Sequence, residues 1–430
     1  MLSRGPGRAA VASALGLLPA VLLGMAGPAR AAGPAARAAG PAAGLAGQVR
    51  AAEMPALQAI GVPSAWRLTR GQGVTVGVLD TGVGGGAPDL AGAVTSGPDY
   101  AAGVDPPGYQ PPHLHGTFIA SLIAGHGSGP GGSGGVIGVA PAAKILSVRV
   151  LPDDQEPGMR VYNSSPRYDD AVGRGVRYAV RRGAGVINMS LGSTTPTRGL
   201  RAAIGYAISH GVVVVAAAGN SGSATRGISP YSYPAGYPGV IAVAAVGGGG
   251  GRASFSDHNT SVVVSAPGVN VIGAAPGGSY LEASGTSPAS ALVAGIAALI
   301  RARDPRLPPA LIAQALITTA RHRPAGGYST GTGFGEVNAP AALRAAARLA
   351  ARRPATGVPA SARAVAASPG PVTVVRRDAA TITALWAGSA VALAGFLALA
   401  AVFAVLATRA VRDRRRYRNF SPPGQTEIML

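Results

Sequence analysis

The sequence predicts an α/β protein with a doubly wound, mostly parallel sheet flanked by helices, followed by one C-terminal transmembrane helix. Six short runs rich in Val, Ile and Ala are almost continuously apolar, as are strands buried on both faces of a parallel sheet. Stretches whose apolar residues are spaced three and four apart separate many of these runs, and that spacing is typical of helices. A charge-free apolar run near the C-terminus predicts the membrane span.

The first 51 residues predict an exported protein. In residues 1–31, Arg4 and Arg8 precede an apolar stretch that ends in a small-x-small cleavage pattern, which is typical of a secretory signal peptide. The alternative is an uncleaved anchor, although the apolar stretch is short for a span. Residues 32–51 are rich in Ala, Gly and Pro without apolar periodicity, and we interpret them as a linker-like N-terminal extension.

The body of the chain, residues 52–350, contains the predicted α/β domain. Its strands are predicted at residues 73–80, 144–151, 184–191, 211–219, 239–246 and 261–268. Its helices are predicted at residues 116–125, 168–183, 197–211 and 287–302. In an open sheet of this kind, ligands bind outside the carboxyl ends of the strands.

The C-terminal part reads as a linker, a span and a tail. Residues 351–378 are rich in Pro and Ala, and residues 379–408 contain the charge-free run. A helix over that run is about 39 Å long, enough to cross a bilayer with some tilt. Six arginines follow the run and two precede it, so the positive-inside rule puts the tail, residues 409–430, in the cytoplasm and the body outside. The alternative, a buried core helix, rarely lacks a polar stripe for so long.

Composition excludes several functions. The net charge is +20, but Lys144 is the only lysine and the arginines are scattered until the tail, so we expect no nucleic-acid partner. The absence of cysteine excludes disulfides, thiolate nucleophiles and cysteine metal sites. We expect no metal and no cofactor, because no acidic row resembles a calcium loop and four histidines lack ligand spacing, namely His126, His210, His258 and His322.

Polar residues stand at the predicted strand ends and helix starts. Asp80 and Asn220 follow strands, while His115 and Ser287 open helices. Taken singly, each is a common turn former or helix cap. Together they supply the nucleophile, base, orienting carboxylate and oxyanion donor that amide hydrolysis needs. Ser190 is an alternative nucleophile.

His113 is an alternative base, disfavoured because only His115 begins an HGT segment.

Four segments, VLDTGV, HGTFIA, AAAGN and SGTSPASALVAG, resemble the signature segments of subtilisin-like serine proteases, and the resemblance covers roughly residues 60–345. It implies a triad of Asp80, His115 and Ser287, with Asn220 and the Ser287 N–H as the oxyanion hole. It also implies two walls of the substrate cleft, formed by Ser190, Leu191, Gly192, Ala217, Ala218 and Gly219. The chain departs from the family pattern after the nucleophile, where it has Pro288 and, in place of a proline, Ala291.

Three further stretches resemble the mycosins, membrane-anchored subtilases of type VII secretion systems: ALQAIGVPSAWRLTRGQGVTVGVLDTGV, RYAVRRGAGVINMSLG and GTGFGEVNAPAAL. The resemblance implies a membrane-anchored extracytoplasmic serine endopeptidase that cleaves secreted or envelope proteins. Its implied partners are peptide substrates, the cell membrane and subunits of the secretion membrane complex. In the alternative, the chain is a structural component of that complex and proteolysis is dispensable. A degradative nutrient protease is a third candidate, disfavoured because a tether restricts reach.

Two segments have open interpretations. Residues 32–54 are too short for a folded inhibitory prodomain, and we expect them to lie along the catalytic domain instead. Residues 153–170 contain five acidic side chains and form either a loop near the cleft or a solvated surface loop.

Overall fold

The computed structural model of the chain describes residues 41–222, 227–351 and 379–418, in two compact units that divide at residues 353 and 354. The predicted signal peptide, residues 1–31, lies outside the described residues, as do nearly all of the predicted linker and the tail beyond residue 418.

The first unit contains eleven strands and nine helices among its described residues. The strands are β1 (Thr75–Asp80), β2 (Val94–Asp99), β3 (His126–Ser128), β4 (Gly134–Ile137), β5 (Lys144–Arg149), β6 (Val186–Met189), β7 (Val213–Ala217), β8 (Ile241–Val246), β9 (Val262–Pro267), β10 (Val271–Ala274) and β11 (Tyr280–Ala283). The helices are α1 (Pro41–Ala59), α2 (Val62–Ala65), α3 (Leu114–Ala124), α4 (Met159–Ser164), α5 (Ala171–Arg181), α6 (Arg198–Ser209), α7 (Thr286–Arg303), α8 (Pro309–Thr318) and α9 (Ala339–Ala351).

Seven strands form one parallel sheet in the order β2-β5-β1-β6-β7-β8-β9. Val76 and Val78 of β1 pack in the core shared with α3 and α7, whereas Leu79 packs in the core shared with α5 and α6. Successive side chains of a strand point to opposite faces. Asp80 therefore points to the face that α3 and α7 cover, at the carboxyl end of the strand.

The predicted fold class is confirmed, and all six predicted strands occur in the central sheet. The seventh strand, β2, lies at one edge of the sheet and was missed because its sequence is weakly apolar. Its sequence is VTSGPD, which has one apolar residue in its first three positions and then Gly and Pro, and none of its residues is fully buried. Edge strands tolerate Pro and exposure, so they lack the continuous apolar signal.

Helix α1 corrects the linker interpretation of the N-terminal extension, because residues 41–51 are helical. Val49 is buried, and Arg50 donates to the carbonyl oxygens of Gly132, Gly134 and Gly135 at 3.2, 2.9 and 2.9 Å. The Glu53 carboxylate accepts from the Ile137 N–H at 2.8 Å. The described part of the segment therefore lies along the domain, held at β4 and the turn before it.

The second unit contains helix α10 (Ala379–Arg418). Residues Trp386–Arg409 form a stretch long and apolar enough to cross a membrane. Its large apolar side chains are exposed, with Trp386 and Phe403 each 74% accessible. Exposed apolar rings at this density are typical of a helix that contacts lipid or another protein.

Candidate active site

Asp80 and His115 meet at the carboxyl end of β1. Asp80 is the last residue of its strand, and its Oδ1 lies 2.7 Å from Nδ1 of His115. The Asp80 side chain is 1% exposed and that of His115 is 7% exposed. Helix α3 can approach this closely because the residue after His115 is Gly116, where a Cβ would lie 2.0 Å from the Gly82 carbonyl oxygen.

The electrostatics of the pair favour a charged imidazole. Burial by itself lowers the pKa of His115, but the neighbouring Asp80 carboxylate outweighs burial and raises that pKa above its ordinary value, with help from Asp153 and Asp154. His115 Nε2 is buried and has no hydrogen-bond partner. His115 lines a small cavity together with Asp153, Asp154 and Ser190. A buried basic nitrogen next to a carboxylate can accept a proton from a group in that cavity.

Ser287 lies in the first turn of α7. The helix begins at Thr286 and its N-cap residue is Gly285, so Ser287 is not the cap. Pro288 is the third helical residue, where the missing N–H has no intrahelical acceptor in any case. The Ser287 hydroxyl donates to the Ser190 carbonyl at 3.2 Å. Ser190 in turn lines the cavity beside His115, so one residue contacts both sides of the site.

Asn220 is oriented by the residue before Ser287. Its side-chain oxygen accepts from both the N–H and the hydroxyl of Thr286, each at 2.9 Å. The amide nitrogen therefore points away from Thr286. The flanking backbone is held by Asp257, whose N–H donates to the Gly219 carbonyl and whose carboxylate accepts from the Ser221 N–H, both at 2.8 Å.

The two predicted cleft walls share one pattern of accessibility. Ser190, Leu191, Ala217 and Ala218 are buried, whereas the glycines that end each wall are partly exposed, namely Gly192 and Gly219. Leu191 and Gly192 also line a cavity of about 350 Å³. That cavity is closed on another side by residues of the acidic segment, including Tyr162, Tyr168, Asp169 and Asp170. Residues of the segment at 153–170 thus line cavities beside His115 and Leu191, which favours the first of the two interpretations.

The alternative nucleophile and base have other contacts. The Ser190 hydroxyl accepts from Asn188 at 2.9 Å and lies 3.0 Å from the Ser290 hydroxyl. Nδ1 of His113 contacts the Thr81 carbonyl at 2.6 Å, and its backbone is left-handed with φ 52°. These contacts hold the segments around the site together.

Sequence reasoning missed three side chains that orient the site, Thr286, Asp257 and Asp153. Two of them had a signal, because Thr286 directly precedes the candidate nucleophile and Asp153 begins the acidic segment.

Comparison with known proteins identifies the family of the chain. The model of the subtilase family (Peptidase S8) matches residues 71–335, more than half of the chain. The chain is 39% identical to thermitase of Thermoactinomyces vulgaris over 243 residues, which are 56% of this chain and 80% of thermitase. It is 34% identical to mycosin-1 of Mycobacterium tuberculosis over 331 residues, covering 66% of this chain and 71% of mycosin-1.

A solved structure extends the likeness to three dimensions. The MycP3 protease from the type VII (ESX-3) secretion system superposes with a TM-score of 0.56 at 32% identity, over 67% of this chain and 87% of that one. The fold of this chain is thus similar to that of a known protease. The chain belongs to the subtilase family, as a serine endopeptidase of the mycosin type.

Proposed function

We propose that Asp80, His115 and Ser287 form the catalytic triad of this endopeptidase. The observation that carries the proposal is the 2.7 Å contact between Asp80 and His115, with Nε2 of the imidazole left for a proton from the site. In the first step Ser287 Oγ attacks the peptide carbonyl carbon and its proton passes to Nε2 of His115. The Ser287 hydroxyl leaves its contact with the Ser190 carbonyl for this step, since catalytic hydrogen bonds tighten when substrate binds.

Asn220 and the Ser287 N–H serve as the oxyanion donors in this proposal. The two hydrogen bonds from Thr286 fix the side-chain oxygen of Asn220, so the amide N–H₂ is the end that faces the developing oxyanion. His115 then gives its proton to the leaving amine as the C–N bond breaks. Water hydrolyses the acyl-serine in a second round of the same proton transfers, which regenerates the Ser287 hydroxyl.

The substrate is a peptide in an extended conformation. We propose that it lies between the walls at Ser190–Gly192 and Ala217–Gly219, where backbone groups can pair with it as with an added strand. The partly exposed glycines that end the walls favour such close backbone approach.

We further propose that the protease domain faces outward from a membrane that α10 spans. The stretch at Trp386–Arg409 supplies the length, and the arginine excess after it supplies the orientation. The similarity to mycosin-1 and to a protease from a type VII secretion system supports a place beside such a system, with secreted or envelope proteins as substrates.

The test is complementation of a strain that lacks the chain. Three versions are compared, the wild type, Ser287→Ala and a truncation before residue 379. The proposal expects the wild type in the membrane fraction, the truncation in the soluble fraction, and no cleavage of exported proteins by Ser287→Ala. If Ser287→Ala restores secretion in full although it produces no cleavage products, the structural role is favoured instead.

A further inference from the structure

The start of α3 is capped by groups from outside the helix. The first N–H groups of any helix have no intrahelical acceptor. In α3 those of Leu114 and His115 donate to the two carboxylate oxygens of Asp153, at 3.0 and 3.2 Å. The next, from Gly116, donates to the Thr81 hydroxyl at 3.0 Å. The N-cap residue His113 makes no side-chain cap, so Asp153 does the work of a cap from 38 residues further along the chain.

Asp153 is itself held in place. It is 9% exposed, its N–H donates to Glu156 Oε1 at 2.9 Å, and its carbonyl accepts from the Glu156 N–H at 3.0 Å. Glu156 Oε2 lies 2.6 Å from Nη2 of the Arg149 guanidinium. Arg149 ends β5 and pairs in register with Asp80 of β1. A continuous set of contacts thus joins the strand end that carries Asp80 to the helix start that carries His115.

The ion pairs of Arg149 are with Glu156, Asp99 and Asp105, at 2.6, 2.9 and 3.2 Å. The hydrogen bonds of the Asp153 carboxylate go to N–H groups at the positive end of α3, one of them the N–H of His115 itself. Three carboxylates raise the pKa of the His115 imidazole, namely Asp80, which contacts its Nδ1, and Asp153 and Asp154, which line the same small cavity. All three favour its protonated form.

We propose that Asp153 is a positioning residue for His115, which fixes the start of α3 by its two hydrogen bonds and stabilises the imidazolium by its charge. The inference rests on the proposed role of His115 as the base. Asp80 orients the ring through Nδ1, and Asp153 orients the backbone that carries the ring. Two carboxylates from different elements therefore act on one histidine.

The experiment measures the rate of inactivation by a fluorophosphonate probe against pH, between about pH 5 and 9, on the full-length chain. In Asp153→Asn one N–H of the helix start loses its acceptor and the charge is lost. We expect the plateau rate to fall about ten- to a hundredfold, since small displacements of a catalytic group cost this much. We also expect the acidic limb of the rate–pH curve, where the rate falls as His115 becomes protonated, to move to lower pH. The reason is that removing a carboxylate lowers the pKa of His115.

Glu282→Gln is the control, because Glu282 is an exposed carboxylate on β11. It should keep the wild-type profile. Thermal unfolding checks that Asp153→Asn is folded, and Asp153→Ser, which keeps one short acceptor, replaces it if it is not. A folded variant at position 153 that keeps the wild-type plateau rate, or the wild-type pH midpoint of the acidic limb, would overturn the proposal. Failure of the triad itself would look different, as an unlabelled wild type or a labelled His115→Ala.

Discussion

Single residues determine the direction of each reactive atom in this site. Thr286 holds the oxygen of Asn220, Asp80 holds one nitrogen of His115, and Ser190 accepts the hydroxyl of Ser287. Each of these hydrogen bonds joins groups that are buried or partly buried, where a polar contact is worth more than in water. The base and the oxyanion donor are therefore oriented before substrate binds, whereas the Ser287 hydroxyl must leave the Ser190 carbonyl.

Replacement of Asn220 by Ala tests the oxyanion role. Loss of one oxyanion donor in a serine protease typically lowers kcat by about 10²- to 10³-fold, with a smaller effect on KM, because the donor acts on charge that develops in the transition state. We expect that result for Asn220→Ala in steady-state kinetics with a chromogenic peptide. Gln314→Ala, which removes an exposed amide from α8, should leave both constants near wild type. A rise in KM alone would assign Asn220 to ground-state binding instead.

The residues proposed for chemistry were visible in the sequence, whereas those that orient them were not. Asp80, His115, Asn220 and Ser287 each stand in a short recognisable segment. Asp153 contacts His115 across 38 residues of chain, and Asp257 contacts Ser221 across 36. No local pattern records such pairings, because they arise only when the sheet brings distant loops together.

At the scale of elements, burial decided what could be predicted. The six predicted strands, five of them interior and β9 at one edge, are mostly apolar because helices cover both faces of the sheet. Helix α1 was missed because its sequence, PAAGLAGQVRAAEMPALQA, contains Gly and Pro and lacks a regular apolar face. Val49 packs against Val136 of β4, and Arg50 and Glu53 add polar contacts. Because one of these contacts is made by a carboxyl group, the strength of the attachment should depend on pH.

The ionisation of Glu53 provides a test of this pH dependence. Burial raises the pKa of its carboxyl from 4.5 to about 8, against the opposing effects of the Ile137 N–H and Arg50. A raised folded-state pKa gives stability that is fully present below the unfolded value and is lost as pH rises through the folded one. The wild type should thus lose stability between about pH 5 and 8, by at least about 1 kcal/mol.

Glu53→Gln cannot ionise and should lose less over the same range. Thermal unfolding of both proteins, measured at several pH values, provides the comparison. Parallel curves for the two proteins would contradict a neutral Glu53 in the folded state.

At the scale of the whole molecule, a compact protease unit and an apolar helix belong to one chain. The net charge is +20, and the arginine cluster after the apolar stretch favours the proposed orientation, with the tail in the cytoplasm. Sequence alone predicted the apolar helix, because a long charge-free run is a local feature. No local pattern of the sequence indicates the partners of the protease unit.

The central claim is that Ser287, activated by His115, is the nucleophile. The most direct measurement is covalent labelling of the full-length chain by a fluorophosphonate, which reacts with activated serines. The wild type and Ser209→Ala, which lacks an exposed serine of α6, should be labelled, while Ser287→Ala and His115→Ala should not. A folded wild type that stays unlabelled, or label that persists in Ser287→Ala, would contradict the assignment.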